Sequence, residues 1–326
     1  MKYVVLGSSG MLGSAIVRYL QSFGPHEVIK HDSRKADLTN YEETADFLEN
    51  HDPDAVFHCA GLVGGIQANT DRPYDFLLEN SLMAINAVHA AWNASIPRFY
   101  YMGSSCMYPK NIAEDLKESH ILTGPLESSN EGYALAKLVG MKLVHDRNKS
   151  LNLDYRTFIP CNLYGPGDNF DESGHVLAAL VKRFCDAVAL NSSYVDIWGS
   201  GTPVREFMHV DDAARAIVLS TQSYSMPPVQ NIGNGNRVAI CDLAHTIAEV
   251  VGFTGKIYYD TSKPDGFPSK VMNVDVLKST GFLERYDLKK GIKSMVEEYR
   301  NGKENVLSHG RQGTKEPILE SGGRFY

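Results

Sequence analysis

The 326-residue sequence lacks several features that would each have placed it in a particular class of protein. None of its five cysteines forms a Cys-x-x-Cys pair, and none of its eleven histidines forms a His-x-x-x-His pair. We therefore expect neither a disulfide framework nor a bound metal. No apolar run approaches the length that crosses a bilayer, and the formal net charge of −7 argues against a general affinity for nucleic acid. The composition predicts a cytoplasmic globular protein with no nucleic-acid or membrane partner.

Short β-rich apolar runs alternate with longer helical patterns in the first half of the chain. This alternation indicates βαβ units and a parallel sheet. The predicted strands are Tyr3–Gly7, Glu27–Lys30, Ala55–Cys59, Arg98–Met102 and Tyr155–Pro160. The predicted helices are Met11–Phe23, Tyr41–Glu49, Pro73–Trp92 and Glu131–Arg147. The fold class that follows is α/β, with a Rossmann-type doubly wound parallel sheet.

The alternation fades after Asn162, where proline and glycine clusters indicate loops. We predict a dinucleotide-binding domain over residues 1–162, which a segment near 206–235 rejoins. Within that segment, Asp211 is placed to cap a helix. Residues 163–302 would mainly form a smaller C-terminal α/β substrate domain. Residues 303–326 would form a polar tail, which we expect to be mobile.

A glycine-rich segment lies where the first predicted strand gives way to the first predicted helix. Its residues are Gly7, Ser8, Ser9, Gly10, Met11, Leu12 and Gly13. Gly7 permits a tight turn, Gly10 lets backbone N–H groups approach a pyrophosphate, and Gly13 lets the helix pack closely on the strand. The helix N-terminus adds a partial positive charge. Because the motif follows the first strand of a βαβ series, it predicts a dinucleotide site.

The choice between NAD and NADP depends on the end of the second strand. Asp32 lies 19 residues after Gly13, where a carboxylate would hold the 2′-hydroxyl of NAD. Arg34 and the neighbouring basic residues would instead hold a 2′-phosphate. The residues themselves leave both cofactors open.

Three side chains suggest carbonyl chemistry. Tyr133 and Lys137 stand at i and i+4 on one helix face. We expect the ammonium to draw the pKa of the phenol toward neutrality, so that Tyr133 can give a proton to a carbonyl oxygen. Ser104 follows the fourth predicted strand, in the cleft where such sheets bind ligands. Its hydroxyl would bind the same oxygen.

With these residues the chain resembles the extended short-chain dehydrogenases and, within them, the GDP-L-fucose synthase family. The resemblance rests on motifs that occur in order along almost the whole chain. They are the segments 63–66 (VGGI), 103–109 (GSSCMYP), 130–137 (NEGYALAK), 162–166 (NLYGP), 198–207 (WGSGTPVREF) and 262–266 (SKPDG). That family reduces and epimerises GDP-4-keto-6-deoxy-D-mannose to GDP-L-fucose.

The resemblance implies roles for further residues. Ser104, Tyr133 and Lys137 would be the reductase set, and Cys106 and His175 the acid–base pair of the epimerisation. It extends the cofactor site, beyond the glycine motif and Lys137, to Pro160, Asn162, Leu163 and His175. For the GDP-sugar it implies Arg183 and Arg205 at the diphosphate, Trp198 at the nucleotide, and Lys263 with Asp265 closing the pocket. The cofactor implied is NADP(H). Ser9 departs from the basic residue that the family often has in its glycine motif, so NAD stays as the alternative.

Two other functions compete with this interpretation. A related GDP-4-keto sugar, such as a colitose or deoxyheptose precursor, would need only small changes in the pocket. A cofactor-sensing module without catalysis would keep the fold; loss of Tyr133 or Lys137 would indicate it, and both are present. The family pairs its two long helices, here Pro73–Trp92 and Glu131–Arg147, across a homodimer.

Overall fold

A computed structural model gives the structure of the chain and describes residues 1–150, 153–171, 174–223, 226–263 and 265–309. The strands are β1 Lys2–Leu6, β2 Glu27–Lys30, β3 Ala55–His58, β4 Arg98–Met102, β5 Asp154–Pro160, β6 Asn162–Tyr164, β7 Tyr194–Trp198, β8 Val204–Arg205, β9 Phe207–His209, β10 Val229–Ile232, β11 Val238–Ala239, β12 Lys256–Asp260 and β13 Ser269–Lys270. The helices are α1 Met11–Phe23, α2 Tyr41–His51, α3 Ile66–Asp71, α4 Pro73–Asn93, α5 Glu131–Ser150, α6 Val176–Ala189, α7 Val210–Ser220, α8 Ile240–Val251, α9 Asp275–Ser279 and α10 Leu288–His309.

The main sheet is parallel throughout and has the strand order β10-β5-β4-β3-β1-β2. The chain passes from β1 outward to β2 and then returns to the other side of β1 as β3. This reversal leaves a crevice at the carboxyl ends of β1 and β3, where doubly wound sheets bind their ligands. The predicted fold class, a Rossmann-type doubly wound sheet, is confirmed.

Helices cover both faces of this sheet because its central strands are apolar on both sides. On one face α1 and α7 pack over alternate side chains such as Val5, Phe57 and Phe158. On the other face α4 and its neighbours bury Val4 and Phe99. The five predicted strands all belong to this sheet, and their bounds agree with the structure to within one residue.

A second core lies between α6, α8 and α10 and the small sheet β7–β12. In β7 the side chains alternate: Val195 and Ile197 are buried in this core, whereas Tyr194 and Trp198 face solvent. This period of two is typical of a strand with one covered face. The helices α6, α8 and α10 were not predicted from the sequence, since they follow loops rather than strands of the main sheet.

Two expectations for the later part of the chain need correction. Asp211 does not cap α7, because a short strand, β9, precedes the helix and His209 occupies the capping position. The His209 side chain accepts a hydrogen bond from the backbone N–H of Asp211, whose carboxylate pairs with Arg18 instead. The predicted tail begins inside α10, which extends to His309, and residues 310–326 lie outside the described residues. The domain bounds at 162 and 302 stay a prediction.

A buried carboxylate joins the main sheet to the segments that follow it. Glu206 lies between β8 and β9, has no exposed surface, and accepts three backbone hydrogen bonds of 2.6–2.8 Å. Two come from Asn234 and Gly235, just after β10, and the third comes from Met272, just after β13. Desolvation of a buried anion is costly, and N–H groups directed at it offset that cost. Glu206 therefore holds three chain segments together.

Replacing Glu206 with Ala should lower the free energy of unfolding by about 3 kcal/mol or more, because three buried N–H groups would lose their acceptor. Glu206→Gln should lose less, since it keeps one acceptor oxygen. Urea unfolding followed by circular dichroism measures the change. Glu249→Ala is the control, because the Glu249 side chain is exposed and pairs with Lys289 at the surface. An unchanged midpoint for Glu206→Ala would contradict this role.

Candidate active site

The glycine segment forms a tight turn in which Gly7 and Gly13 leave no room for a side chain. Gly7 has a φ of +75°, and a Cβ there would lie 2.5 Å from the backbone nitrogen of Ala60, which follows β3. A Cβ on Gly13 would lie 2.1 Å from the carbonyl oxygen of Gly7. These two glycines bring α1, β1 and β3 into close contact. At Gly10, which precedes α1, a Cβ would meet nothing closer than 3.5 Å.

The other residues of the segment divide between support and access. Ser8 is buried, and its hydroxyl donates a 2.9 Å hydrogen bond to the carbonyl of His31, which ties the turn to the end of β2. Ser9 and Gly10 are exposed, and Met11 and Leu12 open the first turn of α1. The helix has no side-chain cap at its N-terminus. Its first backbone N–H groups are suited to an anion such as a pyrophosphate.

Asp32 and Arg34 bind each other at the end of β2. The Nε and a terminal nitrogen of Arg34 donate to the two carboxylate oxygens at 3.0 and 2.8 Å. These hydrogen bonds lower the pKa of Asp32 to about 2. The Arg34 side chain is 87% exposed, so the guanidinium remains accessible to an anion. The carboxylate is partly neutralised at the place where the two cofactors differ.

Ser104, Tyr133 and Lys137 converge beside β4. Ser104 begins a short 3₁₀ helix after the strand, and its side chain forms a hydrogen bond with the phenol of Tyr133. Lys137 lies one turn after Tyr133 on α5, and its ammonium is 5.7 Å from the centroid of the tyrosine ring. Lys137 is 4% exposed, and its Nζ donates to the carbonyl of Met102 at 3.0 Å. The structure therefore brings the predicted trio together.

The pKa expected for Tyr133 is wrong. Burial raises it, the nearby Cys106 raises it further, and only the hydrogen bond with Ser104 lowers it. Lys137 does not draw it down; instead, burial lowers the pKa of Lys137 itself to about 8. The reason is that both groups lie away from water, where each charged form is disfavoured. Tyr133 therefore keeps its proton at neutral pH, as a proton donor must.

Cys106 lies within the same group of residues. Its backbone N–H donates to the hydroxyl of Ser104 at 3.2 Å. Its sulfur accepts hydrogen bonds from two side chains, the amide nitrogen of Asn130 at 3.1 Å and the ammonium of Lys270 at 3.9 Å. Neither donor was assigned a role from the sequence. Both stabilise a negative charge on the sulfur, since hydrogen-bond donors and cations favour a thiolate.

His175 lies at the start of α6 and pairs with a buried carboxylate. Its Nδ1 is 3.1 Å from Asp168, whose side chain is 2% exposed, and this hydrogen bond raises the pKa of the histidine. The imidazole is 42% exposed, so its other nitrogen can reach a ligand. Within the described part of the chain, no hydrogen bond joins His175 to Cys106 or Tyr133. A ligand between them would be needed to couple the two predicted acid–base residues.

The remaining cofactor candidates follow β5. Pro160 ends that strand, and Asn162 and Leu163 begin β6, which pairs with β9. The side chain of Asn162 donates to the carbonyl of Glu206 at 2.9 Å. These residues lie at the carboxyl end of the sheet, the same edge as the glycine turn. Their position is compatible with one extended cofactor crevice.

Three of the predicted substrate residues meet at the end of the β7–β12 sheet. Trp198 is 67% exposed, and the ammonium of Lys263 lies 5.6 Å from the centroid of its ring. Asp265 accepts hydrogen bonds from the backbone and hydroxyl of Ser200, at 2.8 and 2.7 Å. The carboxylate thus ties the loop after β12 to the loop after β7. An exposed indole beside an ammonium forms a suitable platform for a nucleotide base.

The two arginines predicted at the diphosphate lie close to this platform along the chain. Arg183 donates to the carbonyl of Asp196 in β7 at 2.6 Å. Arg205 donates to the carbonyl of Phe267 at 2.5 Å, which places its guanidinium beneath the loop after Asp265. In β13, Lys270 pairs in register with Arg205. The ammonium of Lys270 also contacts the sulfur of Cys106. The strand β13 therefore connects Arg205, a residue predicted at the diphosphate, with the candidate catalytic residues.

No group of three or more potential metal ligands occurs among the residues that the structure describes. In the same residues no helix is long and apolar enough to span a membrane.

The comparison with known proteins agrees with this geometry. The model of the NAD dependent epimerase/dehydratase family matches residues 3–233, and the chain belongs to that family. Within it, the predicted resemblance to GDP-L-fucose synthases is confirmed. The chain is 41% identical over 296 residues to the GDP-L-fucose synthase of Sinorhizobium fredii, covering 90% of this chain and 94% of the relative.

Two further relatives extend the comparison. The GDP-L-colitose synthase of Yersinia pseudotuberculosis is 39% identical over 308 residues, which cover 94% of this chain and 100% of the relative. The crystal structure of a GDP-L-fucose synthetase from Naegleria fowleri bound to NADP has a TM-score of 0.84 at 26% identity, covering 93% of this chain and 95% of that chain. Similarity over nearly the full length includes both the main sheet and the second core.

The glycine turn allows a matched pair of substitutions. Gly13→Ala should destabilise the protein, because its Cβ would collide with the carbonyl of Gly7. Gly10→Ala should fold normally, since its Cβ has room, but should weaken NADPH binding by about tenfold if the backbone there faces the pyrophosphate. Thermal unfolding and a fluorescence titration with NADPH measure the two effects. Equal cofactor affinity in Gly10→Ala and the wild type would place the pyrophosphate elsewhere.

Proposed function

We propose that the protein catalyses the NADP(H)-dependent 3,5-epimerisation and 4-reduction of GDP-4-keto-6-deoxy-D-mannose to GDP-L-fucose. The observation that carries this proposal is the position of Cys106 beside the Ser104, Tyr133 and Lys137 set: its backbone N–H donates to the hydroxyl of Ser104, and its thiol lies close enough to Tyr133 to influence the pKa of the phenol. A reductase alone needs only the set. A base beside it gives the same site a second reaction.

For the reduction, the C4 ketone oxygen lies against Ser104 and Tyr133. NADPH, when bound along the glycine turn, supplies the hydride that forms the new C4–H bond. Tyr133 gives its proton to the oxygen as negative charge develops there, and Ser104 holds the oxygen by a hydrogen bond. Lys137 compensates the charge left on the phenol, since its ammonium lies one helical turn away.

For the epimerisation, the ketone acidifies the protons on C3 and C5. The Cys106 thiolate removes one of these protons, so that a C–H bond breaks, an S–H bond forms and the electron pair moves to the C4 oxygen as an enolate. Ser104 and Tyr133 stabilise that oxygen. His175, protonated beside Asp168, returns a proton on the opposite face and inverts the configuration. The exposure of His175 toward ligand and the burial of Asp168 support this assignment.

The nucleotide end of the substrate is assigned to the β7–β12 region. Trp198 stacks on the base, with Lys263 beside it, and Asp265 holds the two adjacent loops in place. Arg183 and Arg205 bind the diphosphate, because planar guanidinium groups match phosphate oxygens. Gly7 to Gly13, Arg34, Pro160, Asn162 and Leu163 form the cofactor crevice at the opposite end.

The pairing of Arg34 with Asp32 supports NADP(H) over NAD. A free carboxylate at the end of β2 would repel a 2′-phosphate. Here the arginine neutralises it and remains accessible to the phosphate. The NADP-bound structure of the Naegleria fowleri relative is consistent with this choice.

A second candidate substrate is the GDP-4-keto precursor of colitose, which the colitose synthase relative favours. The base, serine and tyrosine would act on it in the same way. A deoxyheptose precursor belongs to the same class. We also propose that the protein works in the cytoplasm, where its nucleotide-sugar substrate and reduced cofactor are available.

We infer that the protein is a homodimer formed through α4 and α5. On α4, Tyr74, Leu78 and Ile85 are spaced along one face and exposed. On α5, Leu135 and Val139 are exposed one turn apart. The two helices pack against each other and so present these side chains together. Paired long helices are the arrangement that the family resemblance implies, and an apolar stripe of this kind suits a second copy.

The central test of the catalytic proposal is Tyr133→Phe. With GDP-4-keto-6-deoxy-D-mannose and NADPH, the wild type should oxidise the cofactor and form GDP-L-fucose. The variant should lose about 10²–10⁴-fold in turnover, because no proton donor faces the ketone oxygen, and should still bind NADPH. Cofactor absorbance and product analysis measure both, with the colitose precursor as the comparison substrate. Wild type that leaves NADPH unoxidised with either sugar would overturn the proposal.

The dimer has a separate test. Ile85→Glu should place charges within the paired helices and convert the dimer into a monomer, measured by size-exclusion chromatography with light scattering. Leu283→Glu is the matched control, since Leu283 is an exposed apolar residue in the loop between α9 and α10, where its carbonyl binds Arg215 of α7. A monomeric wild type, or a dimer that survives Ile85→Glu, would exclude this interface.

A further inference from the structure

We propose that Asn130, together with Lys270, is a positioning residue that holds Cys106 as a thiolate directed at the substrate. This inference rests on the proposed function, because it assigns the chain's own support for the base of the epimerisation. It begins from the two hydrogen bonds that the sulfur of Cys106 accepts, 3.1 Å from the Asn130 amide and 3.9 Å from the Lys270 ammonium.

The first donor comes from the segment that introduces α5. Asn130 ends a short 3₁₀ helix, Ser128–Asn130, immediately before the helix that carries Tyr133. Its amide nitrogen is committed to the sulfur, whereas its amide oxygen is buried and has no partner among the described residues. Buried polar atoms are nearly always paired in native proteins. A sugar hydroxyl held beside Cys106 would satisfy this oxygen, which places Asn130 at the ligand.

The second donor comes from a distant part of the chain. Lys270 lies on β13, which pairs with β8, and two residues later the backbone N–H of Met272 binds the buried carboxylate of Glu206. The strand is therefore anchored at the point where its lysine reaches across to the sulfur. This arrangement brings a fixed cation to the thiol without using a residue of the reductase set.

The sulfur of Cys106 has an amide donor and a cation as neighbours. Two titratable side chains lie near the sulfur, Tyr133 on α5 and Lys270 on β13. Burial raises the pKa of Tyr133, so the phenol is neutral, and the ammonium is the charged neighbour. An amide donor and a cation both interact more strongly with a thiolate than with a thiol. Each should therefore increase the fraction of Cys106 that can accept a proton.

The experiment measures the pH profile of Cys106 alkylation by iodoacetamide in the full-length protein, followed by mass spectrometry of the Cys106 peptide. Asn130→Ala and Lys270→Met should each move the profile to higher pH and slow alkylation at pH 7 by roughly tenfold. Asn130→Asp, which keeps the shape but adds a negative charge, should shift it further. Lys270→Arg should retain most of the wild-type rate. Cys241, partly exposed elsewhere, is the internal reference and should react equally in every variant.

A second readout separates this inference from the proposed function. Incubation with GDP-4-keto-6-deoxy-D-mannose in D₂O without reduced cofactor should introduce deuterium at C3 and C5, more slowly in Asn130→Ala and Lys270→Met than in the wild type. Altered alkylation profiles with no exchange in the wild type would support the two donors and overturn the epimerase proposal. Unchanged Cys106 profiles in both variants, with Cys241 reacting normally, would overturn the inference itself.

Discussion

The carboxylate of Glu206 is the interaction on which the arrangement of the site depends. This side chain lies between β8 and β9. It accepts hydrogen bonds from the backbone just after β10 and just after β13, so the three segments meet at one buried charge. The main sheet supplies the cofactor crevice, and the later segments supply the arginines and Lys270. A single anion that requires three N–H partners leaves few alternative registers for these segments. This junction fixes where β13, and with it Lys270, lies relative to the main sheet.

The sequence could predict those features of the site that depend on the spacing of residues within one strand–helix unit. The glycine turn and the i and i+4 pair of Tyr133 and Lys137 need only one strand–helix unit each, and the structure has both as predicted. Asn130 and Lys270 were not predicted as site residues, because each contacts Cys106 from a distant position, 24 and 164 residues away along the chain. No periodicity reports such a contact. The cap of α7 was missed for a similar reason, since the strand before it shifts the helix start.

The proposed chemistry of the site depends on two neighbouring side chains, Cys106 and Tyr133, of which one would accept a proton and the other would give one. A negative charge on the sulfur of Cys106 would raise the pKa of Tyr133, so the proposed base would help the proposed proton donor to keep its proton. The sequence suggested the reverse influence, from Lys137 onto Tyr133, because it shows proximity along a helix but not burial. Burial changes the balance for both residues. The proposed proton donor and the proposed proton acceptor can then occupy one pocket at neutral pH without neutralising each other.

The ammonium of Lys137 is almost fully buried, and the carbonyl of Met102 is its hydrogen-bond acceptor. Burying a charged group in the core costs stability, because the charge loses its hydration. Substitution of Lys137 by methionine or leucine would increase the stability of the protein. A buried lysine at position 137 is therefore explained by what its ammonium can do in the site rather than by the stability of the fold.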